Sequence, residues 1–230
     1  MSAIRILLAT DLALPRAALR RLLDAEPGFL VVAEADQPEI LREQMRSTPP
    51  DVVVVMSVSA RAGFGTALIE SLRQQYPAVR VVVVSPHDEP SFVRLLLSSG
   101  AFGYVCNQSP PAELFQAIRE VAQGRRYVDA HVAARVGPEF VGSLTIRSPN
   151  WPNPPSFLSK RETELLKLLA HGYTNQQVAD MLALSVKTAE SYRVRLSRKL
   201  GVKTRSELFR MAYDLGMIDP DQLPGDEPTA

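Results

Sequence analysis

Five short, nearly continuous runs of branched and small apolar residues recur along the first half of the chain: IRILLA (4–9), FLVVAEA (29–35), DVVVVMSV (51–58), VRVVVVSP (79–86) and AFGYVC (101–106). Between them lie segments with helical spacing of apolar residues, at about 14–25, 38–47, 65–76, 90–99 and 110–123. In 14–25 (LPRAALRRLLDA), for example, Leu19, Leu22 and Leu23 share one side. A strand that is apolar at successive positions has both faces covered, and that happens when helices pack on both sides of a parallel sheet. The alternation therefore predicts an α/β unit, a doubly wound five-stranded parallel sheet joined by right-handed crossovers. In such sheets the functional crevice lies beyond the carboxyl ends of the strands. The residues at those ends are Thr10 and Asp11, Met56 and Ser57, Ser85 and Pro86, and Cys106 and Asn107.

The pattern stops near residue 127. SPNWPNPPSF (148–157) holds four prolines in ten residues. Proline lacks an amide donor and pushes the preceding residue toward extended conformations, so this stretch cannot be a helix. It divides the chain into an α/β domain (1–127), a Pro-rich linker (128–156), a second domain (157–217) and a tail (218–230). Trp151 reads as a packing anchor for the linker. Charge divides in the same way. The whole chain carries 26 Lys and Arg against 25 Asp and Glu. Residues 1–156 hold 15 of each sign, whereas 157–217 hold 11 basic and 6 acidic residues. The tail IDPDQLPGDEPTA has four acids and no base. Seven of the basic residues fall between Lys187 and Arg205, with Glu190 the one acid among them. Such a cluster is the electrostatic footprint of a nucleic-acid contact, although a solvated helix face looks the same on charge alone.

Spacing resolves the second domain. Ser159 with Glu162, Thr174 with Gln177 and Thr204 with Glu207 have the capping-box spacing, and Ser185 is a further N-cap. Gly172 and Gly201 sit where helices should end. Four helices follow, at about 160–171, 175–182, 186–200 and 205–215, with Ala183 and Leu184 as a connection short enough for a helix-turn-helix. On the third helix Ala189, Tyr192, Leu196 and Leu200 face the core. The N-terminal part of a recognition helix meets base edges in the major groove. That position selects Lys187, Glu190, Ser191 and Val194, and a carboxylate at Glu190 could accept from cytosine N4. An ion pair from Glu190 to Arg193 is the competing reading. Thr174, Asn175, Lys187, Thr188, Arg193, Arg195, Arg198 and Lys199 are candidates for phosphate contacts, which give affinity without sequence information.

The strings RILLATD, PDVVVV, VVVVSPHDE, SSGAFGYV and ELFQAIREVAQGRRYV, over residues 1–125 or so, resemble the receiver domain of bacterial response regulators, a flavodoxin-like fold. The resemblance implies acids holding magnesium, a phosphoaccepting aspartate at the end of the third strand, a switch hydroxyl after the fourth and a lysine after the fifth. This sequence departs from that pattern. Thr10 replaces the first acid and leaves Asp11. The acceptor position holds Met56, and the lysine position holds Asn107. Ser85 keeps the hydroxyl, and Tyr104 stands where the family has an aromatic residue. The spacing (45 residues from Asp11 to Met56, 29 to Ser85, 22 to Asn107) rules out a simple slip of register. A thioether cannot attack phosphorus, and one carboxylate is too few for a dedicated magnesium site. Asp51, at the other end of the strand, cannot substitute. The receiver is expected not to take phosphate.

LSKRETELLKLLAHGYTNQQVADML and LSVKTAESYRVRLSRKLGV resemble the LuxR-type DNA-binding domain of NarL/FixJ-family response regulators, over most of 158–202. Tyr192 stands where many members have histidine, and its hydroxyl could reach a phosphate. The resemblance implies a homodimer on double-stranded DNA, with the fourth helix (Leu208, Met211, Ala212 and Leu215) as the dimer contact.

The rest is mostly exclusion. No apolar run reaches the roughly 18 residues of a membrane span, and the N-terminus turns acidic too soon for a signal peptide, so a cytoplasmic location is expected. Cys106, the single cysteine, cannot form an internal disulfide or a cysteine-based zinc site. His87, His131 and His171 are scattered, no Gly-rich phosphate loop is present, and neither catalytic nor metal-ligating residues nor a cofactor are expected. The expected function is a phosphorylation-independent DNA-binding regulator, its receiver open to a protein partner or a small-molecule ligand. The alternatives are a conventional phosphorylation-dependent regulator and an interaction adaptor with vestigial DNA binding.

Overall fold

A computed structural model describes residues 3–56, 64–137 and 157–218. Strands β1 (Ile4–Ala9), β2 (Phe29–Ala35), β3 (Val52–Met56), β4 (Arg80–Ser85), β5 (Gly103–Cys106) and β6 (Tyr127–Val128) form one sheet in the order β2-β1-β3-β4-β5-β6, every pairing parallel. Helices α1 (Ala13–Asp24), α2 (Pro38–Ser47), α3 (Thr66–Gln75), α4 (Pro90–Ser99) and α5 (Pro111–Ala122) connect the first five strands and lead to the sixth. Side chains alternate across the sheet because successive Cβ atoms point to opposite faces. Ile6, Leu8, Val52, Val54, Val82, Val84 and Val105 pack with Leu23 of α1 and with Leu114, Ile118 and Val121 of α5. Leu7, Ala9, Val53, Val55, Val81, Val83 and Tyr104 pack with α2, α3 and α4. Both faces are buried, as the continuous apolar runs require.

The sheet has one strand more than the five expected. β6 is two residues long, too short to show a period, and exists because it pairs with Gly103 and Tyr104 at the edge of β5. Helix α6 (Ala130–Val136) follows, with Asp129 as its cap. Residues 128–137 therefore belong to the ordered α/β unit, which corrects the linker boundary at 128. The rest of the expected linker, including Trp151, and the tail from Asp219 onward lie outside the described residues.

The second unit comprises α7 (Lys160–Ala170), α8 (Asn175–Met181), α9 (Val186–Leu200) and α10 (Arg205–Asp214). Capping boxes close at Ser159 with Glu162, Thr174 with Gln177 and Thr204 with Glu207, and Ser185 accepts from the Thr188 amide. Gly201 ends α9 in the left-handed conformation, at φ 72°. Leu165, Leu166, Leu169, Val178, Ala189, Leu196, Leu208 and Ala212 form its core, which is continuous with the core under α3 and α4.

The two units touch directly. The Thr66 amide donates to the Leu215 carbonyl at 3.0 Å. Gly65 approaches Gly216 so closely that a Cβ there would stand 2.8 Å from the Gly216 Cα. His87 Nε2 lies 3.5 Å from the Asp214 carboxylate, and the His87 ring packs 4.4 Å from that of Phe92. Burial raises the Asp214 carboxyl above its ordinary value against the pull of His87 and Arg210. Between these contacts a cleft of about 340 Å³ separates His87, Glu89 and Phe92 from Val202, Met211 and Asp214.

Candidate DNA interface and the receiver pocket

On α9, Lys187, Glu190, Ser191 and Val194 are exposed, Val194 to 58%. A valine so open on a helix that buries Ala189, Leu196 and Leu200 marks a face that the chain does not cover with itself. Glu190 forms no ion pair among the described residues. Arg193, its expected partner, instead donates to Asn175 Oδ1 at 3.4 Å and ties α9 to the start of α8. The Ser191 hydroxyl donates to the Lys187 carbonyl at 2.8 Å and keeps its lone pairs for another donor. Arg195 lies over the Tyr192 ring, 5.5 Å from its centre. Arg198 is exposed. The Thr174 and Thr188 side chains are engaged as caps or beside them: Thr174 Oγ1 bonds Gln177, and Thr188 Oγ1 lies 2.7 Å from Ser185 Oγ.

Lys199 departs from expectation. Its Nζ lies 3.0 Å from Glu162 Oε2 and 5.5 Å from the centre of the Phe157 ring, so its charge turns toward α7. Glu162 is nearly buried. Burial raises its pKa, but the Ser159 amide, the Ser159 hydroxyl and Lys199 outweigh that, and the net shift is downward. A buried carboxylate holds its partner because leaving either charge unpaired is expensive. Lys199 is therefore removed from the phosphate-facing set.

Two basic residues outside the expected set, Lys203 and Arg205, lie beside Asn175 and Arg193. A cavity of about 280 Å³ lies between the starts of α8 and α10, and Tyr173, Asn175, Arg193, Ser197, Lys203 and Arg205 line it. Arg205 also donates to the Gly172 and Tyr173 carbonyls and so closes the loop before α8 onto α10. Both lay inside the counted basic run, and only the return of the chain after Gly201 places them beside α8.

α10 also departs from expectation. Leu208, Ala212 and Leu215 are buried inside the chain, at 3%, 0% and 0% exposure, packed in the helical core and under Thr66. Met211 lines the cleft to the first unit. The apolar face of a ten-residue helix is used once, and here the chain itself uses it. In this conformation these four residues are not a free dimer surface.

In the sheet domain, Met56 is half-buried at the carboxyl end of β3, in register with Val84 and packed on the α1 and α5 side. Thr10 is 1% exposed. Its hydroxyl accepts from the Leu12 amide at 3.2 Å, and its carbonyl accepts from Arg16 at 2.7 Å. Arg16 also pairs with Glu34 at 3.3 Å. Ser85 is buried and its Oγ accepts from the His87 amide at 3.3 Å. Tyr104, fully buried, donates to the His87 carbonyl at 2.6 Å, and burial drives its phenol far above the ordinary range. Asp11 and Asn107 are exposed. Asp51 lies at the opposite end of β3 and accepts from the Arg5 amide at 2.8 Å. Residues 57–63, SVSARAG, contain no carboxylate. Among the described residues no three His, Cys, Asp or Glu side chains converge as a metal site would need.

Sequence reasoning passed over Asp129. It is fully buried and accepts from the Val132 amide at 2.8 Å and the Ser109 hydroxyl at 2.9 Å, and also from the Cys106 amide. The acid next to the missing lysine position is thus a structural clamp on β5 and α6.

A parallel sheet of this order joined to a four-helix unit with an exposed third helix defines a receiver coupled to a helix-turn-helix. The pattern of the response regulator receiver domain matches residues 6–119, and that of the luxR family of bacterial regulatory proteins matches residues 156–212. The chain belongs to the NarL/FixJ family of response regulators, DNA-binding transcription factors of this two-part design. It is 31% identical over 216 residues to the oxygen regulatory protein NreC of Staphylococcus aureus, covering 94% of this chain and 99% of that protein. Its fold is similar to that of RcsB from Salmonella enterica serovar Typhimurium bound to a promoter, with a TM-score of 0.67 at 22% identity over 93% of this chain and 100% of the other. A LuxR-family two-component response regulator from Aurantimonas is 35% identical over 61% of this chain and 99% of its own, with a TM-score of 0.56. No helix among the described residues is long and apolar enough to cross a membrane.

Proposed function

We propose that this protein reads DNA sequence through the N-terminal half of α9 without needing phosphate on its receiver. The exposed row Lys187, Glu190, Ser191 and Val194 carries the reading, because it is the part of the helix left uncovered and the part that a helix-turn-helix presents to base edges. Asn175, Arg193, Arg195, Arg198, Lys203 and Arg205 surround it and hold the DNA backbone, with Tyr192 beside them. Related proteins of known structure, RcsB dimers among them, were solved on DNA. A homodimer on paired half-sites is the corresponding arrangement here. Its contact must lie off the buried face of α10, or form once the two units separate.

Phosphorylation independence rests on Met56. A thioether offers neither the nucleophile nor the charge for phosphoryl transfer, and the remaining pocket supplies one exposed carboxylate and no cation at Asn107. The receiver then acts as a folded partner of the DNA-binding unit, responding to a protein or a small ligand. No reaction is assigned to it. Incubation with acetyl phosphate followed by phosphate-affinity electrophoresis should leave wild type unshifted. A shifted band that Asp11→Ala abolishes would restore the conventional regulator. Genomic footprinting should find discrete sites. Binding no tighter than to random DNA at moderate salt would leave the adaptor reading.

A further inference from the structure

One imidazole stands across the join between the two units. His87, on the loop between β4 and α4, is part-buried, with its side chain 20% exposed. Its Nδ1 lies 3.5 Å from the carboxylate of Glu89, the residue that precedes α4, and its Nε2 lies 3.5 Å from that of Asp214, at the end of α10. The Phe92 ring packs on it with centres 4.4 Å apart, and the Tyr104 hydroxyl donates to the His87 carbonyl at 2.6 Å, so the position of the imidazole is held from two sides. One ring nitrogen thus faces a carboxylate of its own unit and the other a carboxylate of the DNA-binding unit. A neutral imidazole has one N–H and one lone pair, and only the imidazolium has two N–H groups. The neutral ring must therefore turn a lone pair toward a negative oxygen, whereas the imidazolium attracts both carboxylates.

Other charged groups surround the same place. Among the described residues, Asp88 pairs with His131 and Arg135 of α6, at 3.0 and 3.4 Å. Arg94 of α4 donates to the Val136 carbonyl. On the side of the DNA-binding unit, Glu207 and Arg210 line the cleft with Asp214. Glu207 accepts from the Lys203 and Thr204 amides as the cap of α10. Arg210, whose side chain is 79% exposed, lies 3.9 Å from Asp214, and so open a partner contributes little. Burial holds the Asp214 carboxyl above its ordinary value, so its own ionisation weakens the join as pH rises through the carboxylate range. An imidazole changes charge in a higher range, and there the join depends on His87.

We propose that His87 makes the join between the units proton-dependent: as the imidazolium it bridges Glu89 and Asp214 and holds the DNA-binding unit on the receiver, and on losing its proton it lets that unit go. Release uncovers Met211, which lines the cleft, and Leu215, whose carbonyl is held by the Thr66 amide. It thereby returns the apolar face of α10 to the surface. What release does to DNA binding rests on the function proposed above, but the proton-dependence of the join does not. A coupling of this kind, at the weak end of those found between sites, changes the ratio of open to joined molecules by about fivefold.

Small-angle scattering of the full chain tests this between about pH 5 and 8, the range in which an imidazole changes charge, at a concentration where light scattering gives the mass of one chain. Wild type should expand as pH rises, and the NMR signals of the His87 ring should titrate with the same midpoint as the radius of gyration. His87→Gln, which is uncharged throughout, should keep one radius, and so should Asp214→Asn. His131→Gln should expand as wild type does, because Arg135 remains on Asp88. A wild-type radius that ignores pH overturns the inference, and a His87 ring that titrates with a different midpoint does so without any variant. Equal expansion in His87→Gln also overturns it and assigns the effect to Asp214. Loss of expansion in His131→Gln alone overturns it in favour of α6. None of these measurements uses DNA, so failure of the proton switch and failure of DNA reading are separate results.

Discussion

A side chain at the carboxyl end of β3 takes phosphate only through a nucleophilic oxygen, and in the function proposed above Met56, a thioether, stands at that place. Its neighbours have been put to other uses. The Thr10 and Ser85 hydroxyls cap the turns that follow their strands, and Tyr104 is fixed to the His87 carbonyl. Asp129 shows the same economy. It satisfies two amides and a hydroxyl in a dry place, so Asp129→Ala should lower stability to urea by about 2–4 kcal/mol, the combined effect of a lost cap and stranded buried donors. Loss below about 0.5 kcal/mol would show that water replaces the carboxylate there. Glu162 gives a pH prediction. Its folded-state pKa lies below its ordinary value, so its contribution is present above the normal carboxylate range and is lost as pH falls through the folded value. Acid titration of stability should therefore be shallower in Glu162→Gln than in wild type. An identical acid limb in the two proteins would count against the Glu162–Lys199 pair. The thioether of Met56 at the end of a strand was legible in the sequence, because the identity of a side chain needs no fold to be noticed. Lys199 was not, because its partner lies 37 residues away on another helix.

At the scale of elements, the period of apolar residues foretold nearly every helix and strand. Capping chemistry placed the four helices of the second unit within about a residue, because caps are local hydrogen bonds between residues three apart. β6 escaped because two residues carry no period, and α6 because the region was judged by its downstream prolines. The division of labour on α9 yields two opposed expectations. Arg193→Ala should weaken binding to all sequences alike and lower the slope of log affinity against log salt by about 1. Glu190→Ala should leave that slope alone and relax the preference at one base pair by about 1–3 kcal/mol. Footprinting and salt titration separate the two, and an unchanged sequence preference in Glu190→Ala would remove Glu190 from the base-reading set.

Across the whole molecule, the join between the units rests on a backbone contact that permits no side chain. Gly65 faces Gly216 and Leu215 at distances below van der Waals contact for any added carbon. Gly65→Ala should therefore open the join, raise the radius of gyration in small-angle scattering and expose Met211 and Leu215 to hydrogen exchange, while each unit keeps its own fold. An unchanged radius with unchanged protection would mean that the join yields locally. The same packing explains why the expected dimer face of α10 is occupied. Its apolar stripe looked unpartnered only because the sequence does not show that α7 packs against it and that α3 meets its end through Thr66.

The sequence by itself determined the two-part design, the parallel sheet, the helix-turn-helix and the methionine at the end of the third strand. Each depends on periodicity, capping or the identity of one side chain, all expressed within a few consecutive residues. Tertiary structure alone decided which polar groups are already engaged and which apolar face is covered. It turned Lys199 toward Glu162, gave Lys203 and Arg205 to the basic cavity, made Asp129 a clamp and set Arg80 and Arg126 over Phe102. Those outcomes depend on segments far apart in the chain meeting in space, and charge or hydropathy read along a line carries no record of that meeting.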